Sequence, residues 1–286
     1  MFLKCVVFQA HDNTVVSIVE TTKDQDQVGA LRYNAPRNLY AYVFFATSNI
    51  HACAVGTIAK RIQSLSTRSD LDYVVFVKGL DAPHTAMLQR QGMIIREVTN
   101  LLQTSSAYYK DVAIKYEPFR MFEYNRVIQL DADIWVAKSI DHLFELPDVA
   151  LASPIANWEN EMCLMTAVMV IQPSRRLWTQ INAKIPKYLN GKTEMDLINE
   201  LFEHRIPGTG RILPEVLILP SKYATLSTEF THPEPYNTDP MKLWDEVLLF
   251  HFSGGYGKPW APRLLESSNT NTQRLYELWK KDYTTP

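Results

Sequence analysis

The feature that most constrains the fold is a series of short, continuously apolar segments, each followed by a segment with helical spacing. "AYVFFAT" (41–47) leads into "SNIHACAVGTIAKRIQSL", and "DYVVFV" (72–77) leads into "PHTAMLQRQG", where Pro83 suits the first turn of a helix. Strands that are apolar on both faces and alternate with amphipathic helices are typical of a parallel sheet covered on both sides. We therefore expect an α/β fold whose chemistry lies beyond the carboxyl ends of the strands.

The same pattern continues along the chain. "MIIREV" and "RVIQL" predict two more strands, and "YKDVAIKYEPFRMFEY" between them predicts a helix despite Pro118. In the second half, "VALASP", "TAVMVIQP" and "VLLFHF" predict strands, whereas "SRRLWTQINAKIPKYL" and "TEMDLINELFEHR" predict helices. No repeat or linker divides residues 39–286, which are predicted to form one domain. Residues 1–38 form an N-terminal extension, whose "CVVF" and "VVSIV" are consistent with a strand pair packed on that domain.

Composition and charge exclude several classes of protein. A formal net charge of −2 and the lack of a Lys/Arg run argue against a nucleic-acid partner. No apolar run approaches the roughly 20 residues that span a bilayer, so no membrane segment is expected in this chain. Cys5, Cys53 and Cys163 are widely spaced and odd in number, which favours a reducing compartment over a disulfide framework. The cytoplasm is the default expectation, and the Golgi lumen is the alternative if an N-terminal anchor was removed.

Two carboxylates follow the apolar segment "VIQL". In an extended chain the side chains alternate, so Asp131 and Asp133 are expected to project to one side and Ala132 to the other. Two carboxylates at close range repel one another unless a cation or a proton lies between them, and hard oxygen ligands suit Mg²⁺ or Mn²⁺. The alternative interpretation is a pair of acidic residues in a solvated turn.

A second candidate is "FHFSGGYGKPW", residues 250–260. His251 follows an apolar strand, and the glycines leave room for a ligand to approach the backbone. A neutral imidazole added to two carboxylates would make a good Mn²⁺ site, and Lys258 would suit a diphosphate as a point charge. The alternative is a histidine at the edge of the core and a lysine in a turn.

Three segments, "YAYVFFAT", "YNRVIQLDADIWV…IDHLF" and "HFSGGYGKPW", occur in this order. With them, residues 40–262 resemble the glycogenin-like family of retaining glycosyltransferases, family eight. The resemblance implies a single GT-A domain, a Rossmann-like α/β fold with a mixed and mostly parallel sheet, which binds a nucleotide-diphospho-sugar. It also implies a UDP-sugar as the donor and Mn²⁺ as the metal, with Mg²⁺ as the alternative.

The resemblance also implies roles for individual residues. Asp131, Asp133 and His251 would bind the metal. The residues that would contact the donor come from the first strand, the helix before the paired aspartates, the aspartate turn and the glycine-rich segment; they are Phe45, Thr47, Ser48, His51, Lys115, Asp131, Ala132, Gly254 and Lys258. For Ser48 and His51 the alternative is a helix cap and a first-turn position.

The chain departs from the family pattern in two places. Met165, Thr166 and Ala167 stand where glycogenin has Asn-Ser-Gly, and "TEMD" stands where the family often has Asp-Gln. Asp196 and Glu194 are therefore the candidates for the carboxylate at the reaction centre, together with Lys258 on the donor side. Asp196 is preferred, because Glu194 could serve the helix terminus. The alternative is a helix start in which the acidic residues only complement the helix dipole.

The expected function is metal-assisted transfer of a hexose, or a hexose derivative, from a UDP-sugar to a hydroxyl acceptor with retention of configuration. The acceptor would be a glycan, a protein or a small molecule, and the family resemblance allows a homodimer. Self-glycosylation on Tyr236 is a further hypothesis. Two rival functions are a non-catalytic UDP-sugar-binding scaffold and a haloacid-dehalogenase-type phosphatase, which also places Asp-x-Asp after an apolar strand.

Overall fold

The structure, a computed structural model, describes residues 39–98, 113–158, 161–188, 193–202, 216–227, 245–252, 257–261, 270–283 and 285–286. The predicted strand pair in residues 1–38, Gly254 and Tyr236 lie outside the described residues. Residues Pro36–Pro286 form one compact unit.

The described residues contain strands, α-helices and 3-10 helices. The strands are β1 Tyr40–Ala46, β2 Leu71–Val77, β3 Ile94–Glu97, β4 Arg126–Leu130, β5 Ile134–Val136, β6 Leu151–Trp158, β7 Glu161–Leu164, β8 Val168–Ile171, β9 Val216–Leu219, β10 Thr225–Leu226 and β11 Leu249–His251. The α-helices are α1 Asn49–Leu65, α2 Ala82–Arg90, α3 Arg175–Tyr188, α4 Glu194–Phe202 and α5 Thr270–Asp282. The 3-10 helices are Ala113–Arg120, Asp141–Glu145 and Ser221–Tyr223.

The main sheet has the strand order β3-β2-β1-β4-β8-β6-β7, with β9 paired to β6. Strands β3, β2, β1 and β4 are parallel to one another, whereas β8 runs antiparallel to both β4 and β6. This arrangement confirms the predicted α/β fold with a mixed, mostly parallel sheet. Since β1 and β4 pair in parallel from Tyr40 and Arg126 onward, their carboxyl ends open at the same edge of the sheet.

The continuous apolar character of the strands results from burial on both faces of the sheet. Along β1, Tyr42 and Phe44 belong to one core cluster, which includes residues of α1. Val43 and Phe45 belong to a second cluster, which includes residues of the 3-10 helix Ala113–Arg120 and of α3 and α4. Because successive side chains of a strand point to opposite faces, a strand buried on both sides needs apolar residues at every position.

Local signals explain where the first two helices begin. The Ser48 hydroxyl accepts a hydrogen bond from the His51 amide at 3.3 Å and caps α1. The Asp81 carboxylate accepts one from the His84 amide at 3.0 Å and caps α2, with Pro83 in the first turn as predicted.

A second, three-stranded sheet joins distant parts of the chain in the order β10-β11-β5. Strand β11 runs antiparallel to β5, so that His251 lies opposite Ile134, and the Phe252 amide donates to the Asp133 carbonyl at 3.0 Å. This pairing brings the second predicted motif alongside the paired aspartates.

Several details differ from the sequence-based expectations. The helix predicted around Pro118 is a 3-10 helix, Ala113–Arg120, within the described residues; proline has no amide hydrogen and disfavours a regular α-helix interior. Strands β5, β7, β9 and β10 and helix α5 were not predicted, because short or weakly periodic segments carry little local signal.

Cys53 and Cys163 are free thiols. None of the described helices combines the length and the apolar character that crossing a membrane requires.

Candidate active site

The predicted site residues gather where β1 and β4 end. Asp131 directly follows β4, and its amide donates to the Ala167 carbonyl at 2.9 Å, which fixes the chain beside β8. Thr47 and Ser48 follow β1 at the same edge, since β1 and β4 are parallel neighbours. The expected position beyond the carboxyl ends of parallel strands is therefore observed.

The chain from Asp131 to Asp133 is a turn and not an extended segment. The Ile134 amide donates back to the Asp131 carbonyl at 3.3 Å, so the alternation expected for a strand does not apply. The two carboxylates bind different cations: Asp131 pairs with Lys115, and Asp133 pairs with Lys258. They remain close enough for the Asp133 charge to raise the pKa of Asp131.

Lys115 joins two carboxylates inside the protein. Its ammonium donates to Asp131 Oδ2 at 2.7 Å and to Glu194 Oε1 at 2.9 Å. The Thr166 hydroxyl donates to the same Glu194 oxygen at 3.0 Å. The exposed fractions of the Lys115, Asp131 and Glu194 side chains are 19%, 17% and 7%, so the ion pairs are shielded from water. Four residues from four parts of the chain thus form one network.

Burial and pairing compete in setting the pKa values of this network. Burial by itself lowers the pKa of Lys115, but the nearby Asp131 and Glu194 carboxylates outweigh it, and the pKa of Lys115 lies above its ordinary value. Burial raises the pKa of Asp131, against the opposing effect of Lys115 and with a further increase from the Asp133 charge. The lysine is therefore held as a cation, and the Asp131 carboxylate is the less favoured charge.

Asp133 faces two basic side chains. His251 Nε2 lies 3.5 Å from Asp133 Oδ2, and the Lys258 ammonium donates to the same oxygen and to the Phe252 carbonyl, the latter at 3.1 Å. Burial alone would raise the pKa of Asp133, but His251 and Lys258 reverse that effect and hold the pKa well below its usual range. Asp133 is therefore a stable carboxylate at neutral pH.

The atoms left over in this cluster suit a divalent cation. Asp131 Oδ1, Asp133 Oδ1 and His251 Nδ1 are buried and have no hydrogen-bond partner among the residues that the structure describes. Carboxylate oxygens and an imidazole nitrogen are good ligands for Mn²⁺, and carboxylate oxygens suit Mg²⁺. Within the described ranges, no group of three or more His, Cys, Asp or Glu side chains is already arranged to hold a metal ion. Because Lys258 pairs with Asp133, binding of a cation would require that contact to change.

The first-strand candidates lie at the amino end of α1. The Thr47 hydroxyl and His51 Nδ1 are 3.1 Å apart, and the His51 ring meets the Trp260 ring edge-on at 5.5 Å. Ser48 caps α1, so the structural alternative for this residue is confirmed, and a donor contact is still a prediction.

Phe45 and Ala132 are the remaining donor candidates within the described residues. Phe45 is 7% exposed and stacks on Phe76 at 6.2 Å. Ala132, in the aspartate turn, packs against the apolar core. Both residues border the site, and a donor contact for each remains a prediction.

Asp196 makes the contacts at the start of α4 that were expected of Glu194, and Glu194 lies in the buried network. The Asp196 carboxylate accepts hydrogen bonds from the amide and the hydroxyl of Thr193, at 2.6 and 2.8 Å, and the Asp196 amide donates to the Thr193 hydroxyl at 3.4 Å. This reciprocal pattern stabilises the start of α4. Glu194 is only 5% exposed and binds Lys115. The helix-start contacts expected of Glu194 are thus made by Asp196, and which of the two acids lies at the reaction centre stays a prediction.

Thr166 is a site residue to which the sequence assigned no role. Met165 and Ala167 on either side are buried in the core cluster that contains residues of α1, whereas the Thr166 hydroxyl binds Glu194. The Thr166 carbonyl accepts a hydrogen bond from the buried Gln129 side chain at 3.1 Å. One signal was present in the sequence: threonine retains the hydroxyl group of the serine in the glycogenin pattern.

Comparisons with known proteins agree with the resemblance. No family model matches the chain. Glucose N-acetyltransferase 1 of Aspergillus fumigatus is 26% identical over 78% of this chain and 65% of its own length. Galactinol synthase 2 of Arabidopsis thaliana is 25% identical over 77% of this chain and 73% of its own length. The chain therefore spans just under two thirds of the first of these relatives.

Among solved structures, the galactosyltransferase LgtC in complex with donor and acceptor sugar analogs covers 86% of this chain and 97% of its own. The TM-score is 0.57 and the sequence identity is 19%, so this similarity identifies the fold. The chain has a GT-A fold, and its resemblance to family-eight glycosyltransferases is confirmed.

Proposed function

We propose that this chain is a retaining glycosyltransferase that moves a hexose, or a hexose derivative, from a UDP-sugar to a hydroxyl acceptor. The observation that carries the proposal is a set of three carboxylates with a common arrangement. Asp131, Asp133 and Glu194 are each bound by a lysine through one oxygen, and among the described residues the second oxygens of Asp131 and Asp133 are buried without a hydrogen-bond partner. Such oxygens are available to a cation or to sugar hydroxyl groups.

We assign a metal site to Asp131, Asp133 and His251. The unpartnered oxygens Asp131 Oδ1 and Asp133 Oδ1 and the ring nitrogen His251 Nδ1 support this assignment. A bound Mn²⁺ or Mg²⁺ ion would supply Lewis-acid stabilisation of the diphosphate leaving group.

We assign binding of the UDP portion to residues on two sides of the site. Lys258 would release Asp133 and offset the charge of the diphosphate, as a flexible ammonium can. Phe45, Thr47, Ser48 and His51 would hold the nucleoside at the end of β1, and Ala132 and Gly254 complete the proposed donor contacts. The hydrogen-bonding groups of Thr47 and His51 next to the Trp260 ring support this placement.

In the proposed reaction, the bond between the sugar's anomeric carbon and the β-phosphate oxygen breaks, and the acceptor oxygen bonds to that carbon from the same face. The acceptor's proton passes to an oxygen of the departing diphosphate, so the products are UDP and the glycosylated acceptor. Lys258 stabilises the negative charge that develops on the diphosphate. Retention follows because the acceptor enters on the side that the leaving group vacates.

We assign stabilisation of the positively charged sugar ring to Glu194. Lys115 and Thr166 both donate to Glu194 Oε1, which fixes the carboxylate and leaves Oε2 for the substrate. Asp196 is the weaker candidate for this role, because its carboxylate is engaged by Thr193. Lys115 also holds Asp131, so that one cation orients both the proposed metal ligand and the proposed ring stabiliser.

The test measures UDP release from a panel of UDP-sugars with Mn²⁺, with and without simple hydroxyl acceptors. The active protein is expected to release UDP from at least one donor, and Asp133→Asn is expected to lose turnover while its circular dichroism spectrum is unchanged. Binding of UDP without release from any donor would favour the non-catalytic scaffold. Failure to bind UDP at all, with or without the metal, would refute the proposal.

The haloacid-dehalogenase-type phosphatase is disfavoured, because its nucleophile stands on the first core strand, whereas Asp131 follows β4. A glycan, a protein or a small molecule as acceptor, a homodimer, and the cytoplasm as the compartment are proposals that rest on the family resemblance.

A further inference from the structure

Helix α5 holds the segment that carries Lys258. The Tyr276 hydroxyl donates to the Gly257 carbonyl at 3.0 Å, and the Tyr276 ring packs against the Phe252 ring with a centroid distance of 4.9 Å. Phe252 and Gly257 lie on either side of residues 253–256. Tyr276 therefore contacts both Phe252, directly after β11, and Gly257, directly before Lys258, although it lies in a separate helix.

The position of Lys258 depends on the peptide that Tyr276 binds. Gly257 has a φ of +85°, in the left-handed region that favours glycine, and directly precedes Lys258. On the other side, the Ala261 amide donates to the Lys258 carbonyl at 2.8 Å. The Lys258 ammonium then reaches back to the Phe252 carbonyl at 3.1 Å and to Asp133. A change in the Gly257 peptide would thus move the ammonium.

Tyr276 is suited to a fixed donor role. It is 6% exposed, and burial raises the pKa of its hydroxyl above the ordinary value, so the hydroxyl remains protonated at neutral pH. The helix that carries it is anchored at its carboxyl end, where the Trp135 indole donates to the Asp282 carboxylate at 3.3 Å. Trp135 belongs to β5, next to β11, so α5 is attached to the same small sheet that supplies His251.

A second contact of α5 reaches the same segment. The Trp279 and Trp260 rings lie 6.4 Å apart, and Trp260 meets His51 at the start of α1. Residues 257–261 are thus held between α5 and α1, with Tyr276 at one end and Trp279 at the other.

We propose that Tyr276 is a positioning residue that sets the location of the Lys258 ammonium for the diphosphate of the donor. This inference rests on the proposed function, because it concerns the nucleotide that Lys258 would bind. Tyr276 does not touch the donor; it acts through the Gly257 peptide. Its hydroxyl is therefore expected to affect nucleotide affinity through Lys258 alone.

The experiment compares Tyr276→Phe with the unmodified chain by calorimetric titration with UDP in the presence of Mn²⁺. The variant keeps the ring that packs on Phe252 and loses only the hydrogen bond, so UDP affinity is expected to fall about three- to tenfold. Tyr124→Phe is the matched control, since this buried hydroxyl donates to Asp72 at 2.9 Å and its ring belongs to a different core cluster from Phe252 and Tyr276. The control is expected to keep the affinity of the unmodified chain.

A double-mutant cycle and amide exchange separate a positioning role from a merely structural one. In a Lys258→Met background, Tyr276→Phe is expected to have no further effect on UDP affinity. Amide hydrogen exchange of residues 257–261 is expected to accelerate in Tyr276→Phe and not in Tyr124→Phe.

The outcomes distinguish this inference from the proposed function. Equal loss of affinity with and without Lys258 would overturn the positioning role, and so would unchanged exchange in residues 257–261. If the unmodified chain did not bind UDP, the proposed function and the role toward the donor would both fail. Faster exchange in Tyr276→Phe would then still support the contact between α5 and the segment.

Discussion

Replacing Lys115 by methionine should be among the most damaging single changes outside the apolar core. The ammonium lies 2.7 Å from Asp131 and 2.9 Å from Glu194, and each pair contributes a gross attraction of about 6 kcal/mol at an effective dielectric constant of about 20. Much of that attraction offsets the cost of burying the charges. Removing one partner of a buried pair still leaves uncompensated charge, so we expect the free energy of unfolding to fall by about 3–5 kcal/mol.

The assay is urea denaturation of Lys115→Met, and Lys184→Met is the matched control. Lys184 pairs with Glu200 at 2.8 Å, close to the Lys115 distances, but the two side chains are 34% and 31% exposed. Solvent screens that pair, so the control should lose about 1 kcal/mol or less. The residue change and the ion-pair distances are nearly the same in the two variants, whereas burial and the number of partners differ: Lys115 binds two carboxylates, and Glu200 keeps Lys187 when Lys184 is replaced.

The loss of stability in Lys115→Met should also depend on pH. Burial and the Asp133 charge already raise the pKa of Asp131, and loss of the Lys115 charge should raise it further. A carboxyl group whose folded-state pKa exceeds its unfolded value adds stability at low pH, and this contribution is lost as the pH rises through the folded-state pKa. The difference between Lys115→Met and the unmodified chain should therefore be smaller at about pH 5 than at about pH 8. Equal losses of unfolding free energy in Lys115→Met and Lys184→Met, with no dependence of either loss on pH, would refute the buried network.

Three further predictions concern neighbouring residues. Glu194→Gln should lower kcat for UDP release about 100-fold. Asp196→Asn should leave kcat nearly unchanged and lower the thermal midpoint, because it removes a helix cap worth about 1 kcal/mol. A large loss of kcat in Asp196→Asn and none in Glu194→Gln would restore Asp196 as the reaction-centre carboxylate. Thr166→Val should lower kcat/KM about tenfold and Thr166→Ser less than about threefold, since only serine keeps the hydroxyl that donates to Glu194. Equal losses of kcat/KM in the two variants would exclude a role for that contact. Gly257→Ala should weaken UDP binding, because φ is +85° there and alanine strains that conformation; titration with UDP checks this.

Much of the sheet could be predicted because its strands carry a strong local signal. Strands β1, β2 and β4 are buried on both faces, so most of their positions are apolar, with Asp72, Arg126 and Gln129 as the exceptions, and the pattern can be read without knowledge of their neighbours. The three-residue strand β5 and helix α5 gave no such signal. A short strand is held by its partner: β5 pairs with β11, more than 100 residues later in the chain, and that pairing is invisible to local periodicity.

The division of roles between Glu194 and Asp196 depended on neighbours that are distant in sequence. Both acids stand in the first turn of α4, where either can complement the helix dipole. The choice follows from Lys115, which lies 79 residues before Glu194, and from Thr166 in the connection between β7 and β8. Only the packing of the 3-10 helix and that connection around α4 places a lysine and a hydroxyl beside Glu194.

The sequence by itself determined the α/β fold, the edge of the sheet that bears the site, and most of the candidate residues, because apolar runs and short motifs are local properties of the chain. The tertiary structure decided how those residues pair. It paired Asp131 with Lys115 and Asp133 with His251 and Lys258, and it placed the Tyr276 hydroxyl at the Gly257 carbonyl, directly before Lys258. Charges and hydrogen bonds act over a few ångströms in space, and sequence separation does not measure those distances.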